Sequence, residues 1–305
     1  MRRLAESRLF RAPAAPSYGA GDTRIGEMFA SSMAVDGVRD RVPCATTFDP
    51  ATGPGDGGCG LVVYFHGNAE DIGITAPRLR RLATALGMHA MAVEYPGYGP
   101  RVPAAVDDRE GDGATSSLET LLSPSSSSSS HTLVRRTAPS ERTAHAAARA
   151  AIRFALGQRW AERADDVVLW GTSLGGAVAA RLAADMSRAG RPPGALIVAS
   201  TFTTARDAAR DLIGGPWWRL VGRDVFATLD HVSDVACPVL SLHGADDEII
   251  PARHAGLLAS ACASDAWWRV SVAPGGSHND LDDDGFVVPQ VQAFLDDIAF
   301  GRHGE

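Results

Sequence analysis

The sequence contains no lysine: all 29 of its basic residues are arginine. Alanine is abundant beside them, so the bias reads as codon composition rather than as a function for the arginines. Cysteine is scarce as well. Cys44, Cys59, Cys237 and Cys262 are scattered and form no C-x-x-C pair, which excludes a disulfide framework and the usual zinc spacings. Free thiols in a reducing compartment, and hence a cytoplasmic location, are expected. No apolar run approaches the ~18 residues that span a bilayer, so a soluble chain without stable membrane insertion is expected. Cationic charge is also in deficit, with 29 basic against 36 acidic residues and a formal net charge of -7. Such a balance attracts neither nucleic acid nor anionic lipid. A small-molecule or acylated substrate suits it better.

What is present is enough for a folded enzyme-sized unit. A chain of 305 residues with 45% apolar content can bury a substantial core. The expectation is a flexible N-terminus over residues 1–24, one domain over 25–300 and a tail at 301–305. Arg2, Arg3, Arg8 and Arg11 around Leu4, Leu9 and Phe10 partly outline an organellar transit peptide, but Glu6 interrupts it.

Leu61-Val62-Val63-Tyr64-Phe65 is a continuous apolar run, the mark of a strand covered on both faces. Similar runs lie at 88–93, 166–170, 195–199, 238–242 and 267–272, with edge strands expected between Ile25 and Phe48. Helices are predicted from Pro77 to Leu86, from a Ser140 cap to Arg163, from the serine turn to Arg188, from Ala205 to Ile213, from near Pro251 and from Val287 to Phe300. Strands alternating with helices specify an α/β fold with a doubly wound, mostly parallel sheet and helices on both faces. Residues 101–138, which include the run Ser125 to Ser130, are too polar to offset their ordering entropy and read as a disordered surface insertion.

Gly171-Thr172-Ser173-Leu174-Gly175-Gly176 lies between an apolar strand and an alanine-rich helix. That context makes it a nucleophile elbow, in which a sharp turn raises the serine hydroxyl above the strand end. Two later turns supply the other groups. His243-Gly244-Ala245-Asp246-Asp247-Glu248 follows the 238–242 strand, and Gly275-Gly276-Ser277-His278-Asn279-Asp280 follows the last one. Serine needs a base near neutral pKa, and His278 is the histidine after the acid turn that sits at a strand end. The acid that orients it can be Asp246 or Asp247. Backbone N–H groups of Leu174 and Asn68 are the expected oxyanion donors, and His66 is read as a structural turn residue. Asp282, Asp283 and Asp284 read as a solvated turn, not a metal cluster, and no metal or organic cofactor is expected.

His66-Gly67-Asn68-Ala69-Glu70, Glu94-Tyr95-Pro96-Gly97-Tyr98-Gly99, the serine turn, Cys237-Pro238-Val239, His243-Gly244 through Pro251, and Ser277-His278-Asn279-Asp280 together resemble the Bem46-like branch of the α/β-hydrolase superfamily. The branch includes serine hydrolases and protein depalmitoylases, and the likeness covers residues 60–300. The resemblance implies Ser173 as nucleophile, Asp247 as acid and His278 as base, with Asn68 and Leu174 at the oxyanion. It also places Phe202 and Trp217 beside an acyl pocket. The implied activity is hydrolysis of carboxylic esters or thioesters through an acyl-enzyme. An aminopeptidase or acyltransferase on the same residues is the nearest alternative, because fold and triad do not fix the leaving group. A non-catalytic scaffold is the alternative from another class. A pure sample inert to esters and to active-site probes distinguishes it. Oligomeric state is not readable from the sequence.

Overall fold

A computed structural model describes residues 10–55, 60–103, 137–213, 216–221, 225–262, 267–298 and 300. Residues 1–9 of the transit-like segment, nearly all of the serine-rich insertion, the 301–305 tail and Cys59 lie outside the described residues. The nine strands among the described residues are β1 (Arg24–Ile25), β2 (Met28–Met33), β3 (Val42–Thr46), β4 (Leu61–Phe65), β5 (His89–Val93), β6 (Val167–Thr172), β7 (Ala195–Ala199), β8 (Val239–Gly244) and β9 (Trp268–Ala273). They form one sheet in the order β1-β2-β3-β5-β4-β6-β7-β8-β9. β1, β2, β3 and β5 pair antiparallel, whereas every neighbour from β5 through β4 to β9 is parallel.

Alternation of side chains across the pleat explains why the central strands are apolar throughout. In β6 and β7, Val167, Leu169, Leu196 and Val198 enter one core, and Val168, Trp170, Ala195 and Ile197 enter the other. The helices Glu141–Gly157 and Leu174–Arg188 cover the first face. Ile72–Ala85 and Val288–Asp297 cover the second. The Glu141 helix packs through Ala144, Ala147, Ala148, Ala151 and Ala155, all buried, and small side chains let it approach closely. None of the described helices is long and apolar enough to cross a membrane.

Several boundaries differ from the sequence expectation. The helix predicted to start at Pro77 begins at Ile72, because Asp71 caps it by accepting the Ile74 N–H at 3.0 Å. Pro77 therefore sits inside the helix, and its ring packs against Gly26, whose φ of +52° a side chain would strain. The helix capped by Ser140 ends at Gly157 rather than Arg163. Arg159 takes φ +59°, and Trp160 turns back to pack edge-on against Phe48 and Phe154, with ring centroids 5.1 and 5.0 Å away. β8 runs on through Gly244, so His243 belongs to the strand and not to the turn. Within the stretch expected to be flexible, Phe10 is buried against Tyr98 and Phe226, and the Tyr18 hydroxyl donates to Glu94 at 2.8 Å.

Topology fixes where chemistry can occur. From β4 the chain moves outward to β5, whereas from β6 it moves the other way to β7. The carboxyl ends of β4 and β6 therefore flank a switch point, the crevice where open α/β sheets place their ligands. The His66 loop leaves one side of that crevice, and Ser173 leaves the other.

Candidate active site

Ser173 has φ +55° and ψ -117°, a strained conformation for a residue with a side chain. Neighbouring glycines make the turn possible. A Cβ on Gly171 would overlap the Gly175 carbonyl, and a Cβ on Gly175 would overlap the Phe65 carbonyl of β4. The turn feeds directly into the helix Leu174–Arg188, whose first N–H groups have no intrahelical acceptor and point toward the serine end.

His278 reaches the same point from the loop after β9. Its Nε2 is 3.2 Å from Ser173 Oγ, and its Nδ1 lies 2.8 and 3.0 Å from the two carboxylate oxygens of Asp247. Sequence spacing left Asp246 and Asp247 open. Asp246 is exposed, and Asp247 is buried and meets the ring. The main-chain N–H of His278 donates to Glu248 at 3.3 Å, which helps hold the loop.

The Asp247 carboxylate is surrounded by donors. Ile249 and Ile250 donate backbone N–H groups to it at 3.0 and 2.7 Å, and His243 Nε2 lies 3.3 Å away. Burial alone would raise its pKa. Hydrogen bonds from His243, His278 and Ile250, and the charge of a protonated His278, outweigh burial and hold it far below the usual carboxylate range. His243 also donates to the Ile250 carbonyl at 2.7 Å, so one buried ring ties the strand to the acid turn.

Across the crevice, the Gly67 N–H donates to Glu70 at 2.9 Å. The Asn68 side-chain oxygen accepts from Tyr98 at 2.8 Å and from the Arg11 main-chain N–H at 2.9 Å. His66 lies beneath this loop, fully buried, with Nε2 2.9 Å from Glu94 and Nδ1 donating to the Gly67 carbonyl at 2.8 Å. Burial would lower the His66 pKa, but the charge and hydrogen bond of Glu94 and the Gly67 carbonyl outweigh it and raise it. Arg11, Tyr18 and Glu94 were not singled out as site residues from the sequence. Glu94 belongs to a recognisable motif, but its pairing with His66 28 residues earlier exists only in the fold.

Ser173, Leu174, Asn68 and His278 border a cavity of about 600 Å3. Phe202, Ala205, Ala209, Phe226 and Ile250 contribute its apolar wall. Of the two aromatics named from the resemblance, Phe202 lines this cavity, and the Trp217 side chain lies outside what the structure describes. Among the described residues, no group of three or more His, Cys, Asp or Glu could hold a metal ion.

A mostly parallel sheet with helices on both faces, carrying a strained serine at the end of a central strand, is the α/β-hydrolase fold. Bem46-type and ABHD12-type proteins are among the homologues of the sequence. No family model matches the sequence. An uncharacterised protein of Mycobacterium tuberculosis is 34% identical over 165 residues, covering 53% of this chain and 55% of that protein. Lysophosphatidylserine lipase ABHD12 of Danio rerio is 29% identical, covering 63% and 44%. Protein bem46 of Schizosaccharomyces pombe is 27% identical, covering 72% and 61%. The matches thus span about half the length of these relatives. Among solved structures, Est1E of Butyrivibrio proteoclasticus with bound ferulic acid superposes with a TM-score of 0.60 at 18% identity, over 88% of this chain and 99% of that one. At that identity the likeness is one of fold.

Proposed function

We propose that the chain is a serine hydrolase that cleaves carboxylic ester or thioester bonds through an acyl-enzyme on Ser173. The observation that carries this reading is the continuous hydrogen-bond path from Ser173 Oγ through the His278 ring to Asp247, at 3.2 and 2.8 Å. As Oγ adds to the substrate carbonyl carbon, its proton passes to His278 Nε2. Asp247 accepts the Nδ1–H, fixes the tautomer and stabilises the imidazolium that forms. The new oxyanion is held by the main-chain N–H groups of Leu174 and Asn68. The carbon–leaving-group bond then breaks and the leaving atom takes the proton from Nε2. Water repeats the cycle on the acyl-enzyme and releases the acid.

The acyl chain occupies the apolar cavity beside Phe202. The lipase name carried by a homologue is in keeping with an acylated substrate. Ser173→Ala is expected to abolish hydrolysis of short-chain nitrophenyl esters and labelling by a fluorophosphonate probe. Labelling retained in that variant would place the nucleophile elsewhere.

A further inference from the structure

The helix Ala205–Ile213 turns its apolar stripe to the cavity that Ser173 borders. Ala205, Ala208, Ala209, Leu212 and Ile213 recur on one helical face, and all five line that cavity. Of its residues only Ala205 and Ala209 are buried, and Leu212 and Ile213 are 57% and 58% exposed. Two buried alanines contribute little toward holding a helix against the body. The helix starts beside the serine turn, where the Thr201 hydroxyl donates to the Ser173 carbonyl at 3.3 Å. At ~1.5 Å per residue, its last turn lies about 10 Å farther along the cavity.

The opposite face is held by one ring. His254, on the helix Arg253–Ala261, is 1% exposed. Its Nδ1 accepts the main-chain N–H of Thr203, just before the wall helix, at 3.1 Å, and its Nε2 donates to Asp211, in the last turn, at 2.8 Å. Because the Thr203 N–H can only donate, Nδ1 carries the lone pair and Nε2 the proton, so the ring is neutral. Burial lowers the His254 pKa, and the hydrogen bond and charge of Asp211 offset that only in part. Asp207 and Asp211 on the wall helix and Arg253 beside the ring are the charged groups that face it. They are paired in turn: Arg253 with Asp211, Arg210 with Asp207 at 3.2 Å, and Asp207 with the hydroxyls of Thr203 and Thr204 at 3.0 and 2.8 Å. Neither His254 nor Asp211 borders the cavity. One imidazole therefore grips both ends of a helix whose other face is the cavity wall.

We infer that His254 is a positioning residue for the acyl chain: it clamps the helix Ala205–Ile213 from its polar side, so that the apolar stripe stands fixed along the cavity and favours chains long enough to reach Leu212 and Ile213. The inference rests on the hydrolase reading above. It is tested on the full chain with nitrophenyl decanoate and nitrophenyl butyrate below micelle formation, as the ratio of their kcat/KM values. The wild type should favour decanoate by at least about tenfold, since each methylene taken from water is worth roughly fourfold. His254→Leu removes both hydrogen bonds and keeps the bulk. It should lower the ratio about tenfold, through KM for decanoate and not through kcat. Asp211→Ala should lower it roughly 3- to 10-fold, the effect of one hydrogen bond. His254→Gln, whose amide carries one acceptor and one donor, should keep the ratio within about threefold of wild type, a rescue that mere support of the fold would not require. Leu212→Ala combined with Ile213→Ala alters two exposed side chains and should also lower the ratio about tenfold, which keeps the test decisive if His254→Leu does not fold. A wild type indifferent to chain length overturns the inference. So does a ratio that Asp211→Ala or the paired alanine change leaves unaltered, or one that His254→Gln lowers as far as His254→Leu does. These failures leave fluorophosphonate labelling of Ser173 intact. A wild type that neither hydrolyses an ester nor is labelled refutes the hydrolase reading, and this inference with it.

Discussion

His278 Nδ1 lies 2.8 Å from Oδ2 of Asp247, and the same carboxylate accepts the main-chain N–H groups of Ile249 and Ile250. The acid is therefore anchored by the backbone before it meets the imidazole. Its orientation does not depend on the histidine. Replacing only its charge should leave the turn in place and change the ring.

Asp247→Asn is accordingly expected to fold and to lose about 10^4-fold in kcat on nitrophenyl esters at neutral pH, the loss of tautomer control in a Ser-His-Asp system. The amide offers a donor where Nδ1–H needs an acceptor. Asp246→Asn, on the exposed neighbour, should stay within about twofold. Steady-state kinetics on both variants test the contrast, and equal losses would contradict it.

Stability should fall as pH rises through the titration of His66. Its pKa is raised in the fold, so between about pH 6.5 and the folded value the native state binds a proton that the unfolded chain releases. The contribution is complete below about 6.5 and is lost above the folded pKa. One proton limits the slope to about 1.4 kcal/mol per pH unit. Glu94→Gln should cost roughly 3–5 kcal/mol at pH 6 by leaving a buried imidazolium unpaired, and should flatten the slope. Urea unfolding at pH 6, 7.5 and 9 reads both.

Ser140 closes a reciprocal cap: its hydroxyl accepts the Thr143 N–H at 3.2 Å, and its own N–H donates to Thr143 Oγ1 at 3.0 Å. Ser140→Ala should destabilise by about 1 kcal/mol and lower Tm by roughly 2–4 °C. Differential scanning calorimetry would show it, with ester hydrolysis at 25 °C retained because Ser140 does not line the cavity that Ser173 borders.

The alternation of apolar runs with amphipathic stretches, the glycines around Ser173 and the order of serine, acid and histidine were all legible in the sequence, since each depends on backbone preference and side-chain period over a few residues. Helix limits were less so. Asp71 competes with Pro77 to start one helix, and Trp160 leaves another to pack against Phe48; neither outcome is local. At the site, Ser173 and His278 could be singled out by their places at strand ends, but the choice between two adjacent aspartates turns on which one the 244–250 turn buries.

Only the tertiary structure decided the rest. It put His243 in a strand behind Asp247, slid Glu94 under His66 and laid Tyr18 over Glu94. Those relationships join residues as far as 76 positions apart. They arise where loops from separate strands converge at one sheet edge, and no short stretch of chain carries that information.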